Sequence, residues 1–309
     1  MARRRDNGPG GLIVVDKPAG FTSHDVVAKL RGMARTRRVG HAGTLDPMAT
    51  GVLFLGTEKA TRRLGHLALT EKEYVATVRL GQDTVTEDAE GELTDSRGAS
   101  GLSREAVEGA VAKLTGDIMQ VPSMVSAVKI DGERAYKRVR QGEDVELAAR
   151  PVRVSSYVVH DLREETAEDG TRVTDLLVSV ECSSGTYVRA LARDVGEALG
   201  TGGHLTALRR TRVGPYGLDG ASTLEKLQGS VDAEQSLPLV PLGEAAATAF
   251  PRWDVSEEQA RLIGNGAQLP MPVSLAEEER PVAVFGPADT FVALVEEKGG
   301  RARSLAVFA

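Results

Sequence analysis

The chain of 309 residues is long enough for one large domain and a smaller one, at ~150 residues per domain. Its hydrophobic share of 41% and charged share of 27% are those of a globular protein and exclude wholesale disorder. A net charge of -6, from 38 Lys and Arg against 44 Asp and Glu, argues against a nucleic-acid partner if the charge is evenly spread, because phosphate binding is driven by basic side chains.

The charge is not evenly spread. Residues 1–70 carry 12 basic against 5 acidic side chains, a local net of +7, while residues 71–128 are at -6 and residues 181–216 at +2. Such alternation suits ordinary solvated surface, and it also suits one positive face set among acidic flanks.

Residues 1–11 read as a flexible basic tail, and Leu12–Val15 is a short apolar run leading as a strand into the Lys17-Pro18 turn. Thr22 or Ser23 then caps a helix with Val26, Val27, Leu30 and Met33 at helical spacing, followed by the basic run Arg35, Arg37 and Arg38. A glycine-rich loop occupies residues 40–51. Tyr74–Leu80 alternates as a strand, and Ser103 starts a helix whose inward residues are Val107, Ala110, Val111 and Leu114. Val152–Leu162 and Leu176–Cys182 read as strands, and Tyr187–Leu199 as an amphipathic helix ended by Gly200. Irregular mixing of strands and helices predicts an α+β fold. Beyond Pro251 short strands at Val282–Phe285, Phe291–Val295 and Ser304–Phe308 predict a small, mostly β domain, with the boundary near Pro238 and Pro241. The expected organisation is a tail at 1–11, a large domain at 12–245 and a small one at 250–309.

Cys182 is the single cysteine, which excludes an internal disulfide and a multi-cysteine zinc site and points to a reducing compartment. His24, His41, His66, His160 and His204 have no pair at the spacing of a helical zinc motif, so no metal is expected. No apolar run approaches the ~20 residues that span a bilayer, and the basic start MARRRDNGPGG has no apolar stretch after it, so a cytoplasmic location is expected.

The densest candidate for chemistry is the loop Gly40-His41-Ala42-Gly43-Thr44-Leu45-Asp46-Pro47-Met48-Ala49-Thr50-Gly51. Pro47 pushes Asp46 towards an extended conformation, which suits a carboxylate held on a rigid loop. The dipeptide alone suits equally an Asp-Pro turn with Asp46 bonded to nearby backbone N–H groups. No Gly-Lys-Ser/Thr follows, so the loop is not a phosphate cradle of Walker type.

The whole string resembles the catalytic loop of the TruB family of bacterial tRNA pseudouridine synthases, whose pattern is roughly GHxGxLDPxATG. Every fixed position is met. Four other blocks agree in order: Lys17-Pro18-Ala19-Gly20-Phe21-Thr22-Ser23, Lys72-Glu73-Tyr74, the run from Ser126 through Lys129, Gly132 and Tyr136 to Gly142, and Cys182 to Arg189, with His204–Arg210 completing the set. The resemblance covers roughly residues 11–215. It implies a mixed, mainly antiparallel sheet with flanking helices, a small C-terminal domain of PUA type, and isomerisation of uridine to pseudouridine at position 55 in the T-loop of tRNA, without cofactor or metal.

By that resemblance Asp46 is the nucleophile, attacking ribose C1′ or base C6, and Arg189 pairs with it and favours its charged form. Tyr74 stacks on the flipped uracil and is a candidate to move the C5 proton; stacking offsets roughly 1–3 kcal/mol of the lost base stacking. Tyr187 and Leu208 line the pocket, and His41 sits where the nucleotide leaves the RNA stack. Lys17, Arg35, Arg37, Arg38, Arg62, Arg63, Arg209 and Arg210 are candidates for contact with T-arm phosphates, which position without specifying sequence. Arg189 in the first turn of a helix opposes the helix dipole and requires an acid nearby. The expected partner is tRNA, with the protein acting as a monomer. Two other readings compete. A non-catalytic tRNA-binding or folding protein does not need the Asp46, Tyr74 and Arg189 set, and a glycoside hydrolase needs a second matched acid that no motif supplies.

Overall fold

A computed structural model describes residues 10–62, 64–67, 70–123, 129–130, 133–134, 147–278 and 281–308. In chain order the first half holds β1 (Leu12–Lys17), α1 (Ser23–Met33), β2 (Val39–Ala42), β3 (Thr50–Thr57), a 3-10 turn (Glu58–Arg62), α2 (Leu64–Leu67), β4 (Lys72–Leu80), β5 (Asp83–Thr84), β6 (Leu93–Asp95), α3 (Arg104–Ala112) and β7 (Gly116–Gln120). The short pair β8 (Lys129–Ile130) and β9 (Glu133–Arg134) precedes β10 (Arg150–Thr166), β11 (Arg172–Cys182), α4 (Val188–Ala198), β12 (Gly203–Val213), β13 (Tyr216–Gly217), α5 (Leu224–Asp232) and α6 (Leu242–Ala249). The C-terminal part holds β14 (Arg252–Asp254), α7 (Glu257–Gly264), α8 (Val273–Ala276), β15 (Val282–Gly286), β16 (Thr290–Lys298) and β17 (Arg301–Val307). The expected α+β class is observed. Apart from β8 and β9, the motif from Ser126 to Gly142 lies outside the described residues, as do tail residues 1–9.

The main sheet runs β1-β3-β12-β4-β11-β10-β7, with β2 on β3 and β13 on β12. Its pairings are antiparallel except β12 on β3, where Arg209 faces Thr50 and Arg210 faces Gly51 in parallel. The apolar runs of β1 and β3 are continuous because both faces of these strands are covered. Ile13, Val15, Leu53 and Leu55 enter the core under α1, α4 and α5, while Leu12, Val14, Val52 and Phe54 face a second core shared with Ala245, Phe250, Phe285 and Leu294. Along β10, by contrast, buried and exposed residues alternate over its first half, the pattern of a strand with one wet face.

The C-terminal strands form a separate sheet, β14-β15-β16-β17. Its other face, with Val282, Val284 and Val295, packs with Ile263 of α7. Gly11, placed by sequence in the tail, is drawn into the fold: its N–H donates to Thr57 Oγ1 at 3.1 Å and its carbonyl accepts from Thr57 N at 3.0 Å.

Helix α1 starts at a complete capping box, with Asp25 N donating to Thr22 Oγ1 at 3.1 Å and Thr22 N donating to Asp25 Oδ2 at 2.8 Å. Gly51, where the glycine-rich loop enters β3, has φ +101°, and a Cβ there would lie 2.1 Å from the Arg210 carbonyl oxygen. Gly51→Ala is therefore expected to cost about 2–4 kcal/mol from backbone strain and overlap. An unchanged urea midpoint would show that β3 and β12 part easily there.

Candidate active site

Asp46 stands on the loop between β2 and β3, and the residues on either side of it are bolted to the start of the chain. The Leu45 N–H donates to Ser23 Oγ at 3.0 Å, and Ser23 Oγ donates to Leu45 O at 3.1 Å. On the other side the Pro47 carbonyl accepts from Lys17 Nζ at 3.1 Å and from Gly20 N at 2.9 Å. Lys17 also donates to Pro18 O at 2.9 Å and Phe21 O at 2.6 Å. The Lys17–Ser23 motif is thus the footing of the Asp46 loop.

Arg189 reaches Asp46 from the first turn of α4. Its Nε lies 3.0 Å from Asp46 Oδ2 and its Nη2 donates to Oδ1 at 3.4 Å, a two-pronged contact. The rest of the guanidinium is held by Thr86 O at 2.8 Å and Ser123 Oγ at 3.0 Å, and Asp88 Oδ2 is 3.7 Å from Nε. These two acids answer the need created by a cation at a helix N-terminus. Arg189 is 5% exposed and Asp88 3%, whereas the Asp46 side chain keeps 36% of its surface open. The carboxylate is fixed on one side and presented on the other. Burial pushes the Asp46 carboxyl above the usual range; Arg189 opposes that shift and Asp88 adds to it.

The other two residues expected at the pocket, Tyr74 and Leu208, are buried together with Leu45, the neighbour of Asp46. Tyr74 is 6% exposed, Leu208 8% and Leu45 4%, all within the principal core cluster. Burial raises the Tyr74 hydroxyl pKa, and the positive charge of Arg210 opposes the rise. Tyr187 is half-buried at the N-cap of α4, clamped by Gln120, whose Oε1 accepts from its N–H at 2.9 Å and whose Nε2 donates to its carbonyl at 3.1 Å. His41 is half-buried on β2, with its ring 5.1 Å from that of His24, edge to face, and its Nδ1 buried without a hydrogen bond.

The basic residues divide into two groups. Arg35, Arg37 and Arg38 are exposed after α1. Arg62 ends the 3-10 turn, and Arg63 lies outside the described residues. Lys17 and Arg210, expected at the phosphates, are buried at 0% and 2% exposure, Lys17 donating to the carbonyls of Pro18, Phe21 and Pro47 and Arg210 to those of Val52 and Gly43. Burial also brings the Lys17 pKa down to about 8. Arg209 is half committed, its guanidinium forked onto Asp16 at 3.1 and 2.7 Å.

Sequence reading missed Asp88, Thr86, Ser123 and Gln120. Asp88 was hidden in the acidic segment that looked like solvated surface, and Thr86 acts through its backbone carbonyl, which no side-chain pattern reveals.

The mainly antiparallel α+β sheet that carries the Arg189–Asp46 contact is the fold of a class of RNA uridine isomerases, the pseudouridine synthases. A model of the N-terminal domain of TruB family pseudouridylate synthases matches residues 31–188, one of the tRNA pseudouridylate synthase B C-terminal domain matches 189–240, and one of the tRNA pseudouridine synthase II C terminus matches 250–309. The tRNA pseudouridine synthase B of Streptomyces griseus is 66% identical over 301 residues, covering 97% of this chain and 98% of the relative. That of Arthrobacter sp. is 54% identical over 305 residues, covering 97% and 96%. A chain from a crystal structure of a Cbf5-Nop10-Gar1 complex superposes with a TM-score of 0.70 at 27% identity, covering 97% of this chain and 85% of that one. The chain belongs to the TruB family, tRNA-modifying isomerases that convert uridine to pseudouridine. Among the described residues no helix is long and apolar enough to cross a membrane.

Proposed function

We propose that this chain isomerises the uridine at position 55 in the T-loop of tRNA, with Asp46 as nucleophile and without a cofactor or metal. The observation that carries the reading is the two-pronged Arg189–Asp46 contact beneath an open carboxylate edge. A carboxylate so held stays ionised and aimed while its free edge faces the substrate. The target uridine is flipped from the T-loop, and its uracil lies against the Tyr74 and Leu208 floor. Attack by Asp46 at ribose C1′ releases uracil directly, whereas attack at C6 loosens the glycosidic bond through the base. In both routes the base turns over, a bond forms between C5 and C1′, the bond from Asp46 to C1′ or C6 breaks and returns the carboxylate, N1 takes up a proton and the C5 proton departs to solvent. Tyr74 is assigned the role of moving that C5 proton.

The half-buried His41 occupies the mouth, where it takes the place left by the flipped base. The exposed Arg35, Arg37 and Arg38, with the part of Arg209 not spent on Asp16, line the phosphate side of the T-arm. Tyr187 walls the pocket from the α4 side. We place the enzyme in the cytoplasm as a monomer, its large domain at 12–245 carrying the chemistry and the PUA-like part at 250–309 extending the RNA surface.

Mapping pseudouridine in unmodified tRNA before and after incubation tests activity and position together. The expected product is one pseudouridine at position 55 and loss of C5 tritium in equal amount. A new pseudouridine outside the T-loop would reject the position while leaving the isomerase chemistry in place.

A further inference from the structure

The direction in which Arg189 points is set by its acceptors. Two of them, the Thr86 carbonyl and Ser123 Oγ, lie on segments far apart in the chain, 86–88 after β5 and 120–123 at the end of β7. Both segments are held a second time from the same helix. The second holder is Arg193, four residues on and so about 6 Å further along the same face of α4. Its Nη1 donates to Glu87 Oε1 at 2.7 Å and its Nη2 donates to the Val121 carbonyl at 2.8 Å. Gln120 completes the row by bonding the backbone of Tyr187 at both N–H and carbonyl.

Glu87 is the pivot of the first segment. It is a non-glycine residue in the left-handed region, at φ +59°, a conformation that persists only where the contacts around it hold it. Its neighbours Thr86 and Asp88 meet Arg189, while its own side chain goes to Arg193. The Glu87 side chain is 12% exposed and that of Arg193 25%, and Glu87 Oε2 is buried with no hydrogen-bond partner among the described residues. Without Arg193 this carboxylate would be left enclosed and uncompensated, and the turn would lose its hold.

We propose that Arg193 is a positioning residue of the isomerisation: through Glu87 and Val121 it holds both segments against α4 and so fixes the direction in which Arg189 grips Asp46. The inference rests on Asp46 acting as proposed above.

The test is the single-turnover rate at saturating T-arm RNA, with affinity measured beside it, for Arg193→Met, Arg193→Lys, and Arg193→Met combined with Arg189→Met. Arg193→Met is expected to slow turnover about 10- to 100-fold, the scale of a misplaced reacting group, with affinity within about twofold of wild type. Arg193→Lys returns a charge to Glu87 without the fork and should recover at least about fivefold of that loss. In the Arg189→Met background Arg193→Met should cost less than about threefold, because the group it positions is gone. A wild-type rate, an equal loss in both backgrounds, no recovery by lysine, or a fall in affinity that accounts for the rate would each overturn the proposal. If either methionine variant does not fold, Glu87→Gln decides: it keeps the shape and strands no charge, and it should slow turnover at least about threefold at unchanged affinity, a wild-type rate refuting the link. Failure of the underlying reading is distinguishable, since it shows as an active Asp46→Asn, whereas failure here leaves Asp46→Asn inactive.

Discussion

Asp46→Asn is expected to lower pseudouridine formation by at least about 10⁴-fold while leaving tRNA affinity within about threefold of wild type. The amide has the shape of the carboxylate and still offers Arg189 an acceptor oxygen, but it has neither the charge nor the nucleophilicity. Loss of the charge does not strand the arginine. Thr86 O, Ser123 Oγ and, at 3.7 Å, Asp88 remain around it. The loop keeps its footing as well, because Ser23, Lys17 and Gly20 grip the backbone of Leu45 and Pro47 and not the side chain of Asp46. Single-turnover release of tritium from C5, run beside filter binding, separates chemistry from capture. Undiminished release by the variant would remove Asp46 from the reaction.

Arg189→Met should lower the rate by about 10²- to 10³-fold and the folding stability by about 3 kcal/mol. The stability loss has a plain source: Asp46 and Asp88 then share a partly dry space with no cation, and Thr86 O and Ser123 Oγ lose their donor. The rate loss carries a pH signature whose sign follows from the site. Burial already holds the Asp46 carboxyl above its ordinary range, with Arg189 as the main opposing influence. The nucleophile must be ionised, so activity falls as pH drops through this pKa, and removing Arg189 raises it further. The acid limb of the rate profile should therefore move to higher pH. Arg189→Lys, which keeps a charge but not the fork, should return most of the limb and little of the rate. An acid limb that overlays wild type in the Met variant would mean that the arginine orients Asp46 without setting its charge.

Much of this site was legible in the residues. Asp46, Tyr74 and Arg189 were singled out by the resemblance of short motifs to the TruB family, and the structure brings Asp46 and Arg189 into contact across 143 positions of chain. The helices at 23–33, 104–112 and 188–198 were readable because cap residues and periodic apolar side chains act within a few residues of one another. The basic residues were read less well. Lys17 and Arg210 count as surface charge in any composition argument, yet both are buried and hydrogen-bonded to carbonyls of the Asp46 loop. Their role depends on carbonyls of Pro47, Gly43 and Val52, and backbone acceptors leave no mark in a sequence.

What the sequence by itself determined is the class of chain: an α+β protein with the motifs of the TruB family around Asp46, Tyr74 and Arg189, and enough local positive charge to make an overall -6 compatible with RNA. What only the tertiary structure decided is how each charge is used. Lys17 and Arg210 share the sign of Arg35, Arg37 and Arg38, but the first two are enclosed where dehydration makes every hydrogen bond count, while the other three remain exposed to water, Arg38 with Glu58 3.4 Å away. The same holds for the acids. Asp88 belongs by sequence to a solvated acidic run, and the packing of α4 beside the chain at Thr86 encloses it with Arg189, where its charge bears on Asp46. Burial is set by which distant segments cover a residue, and that is a property of the folded chain as a whole.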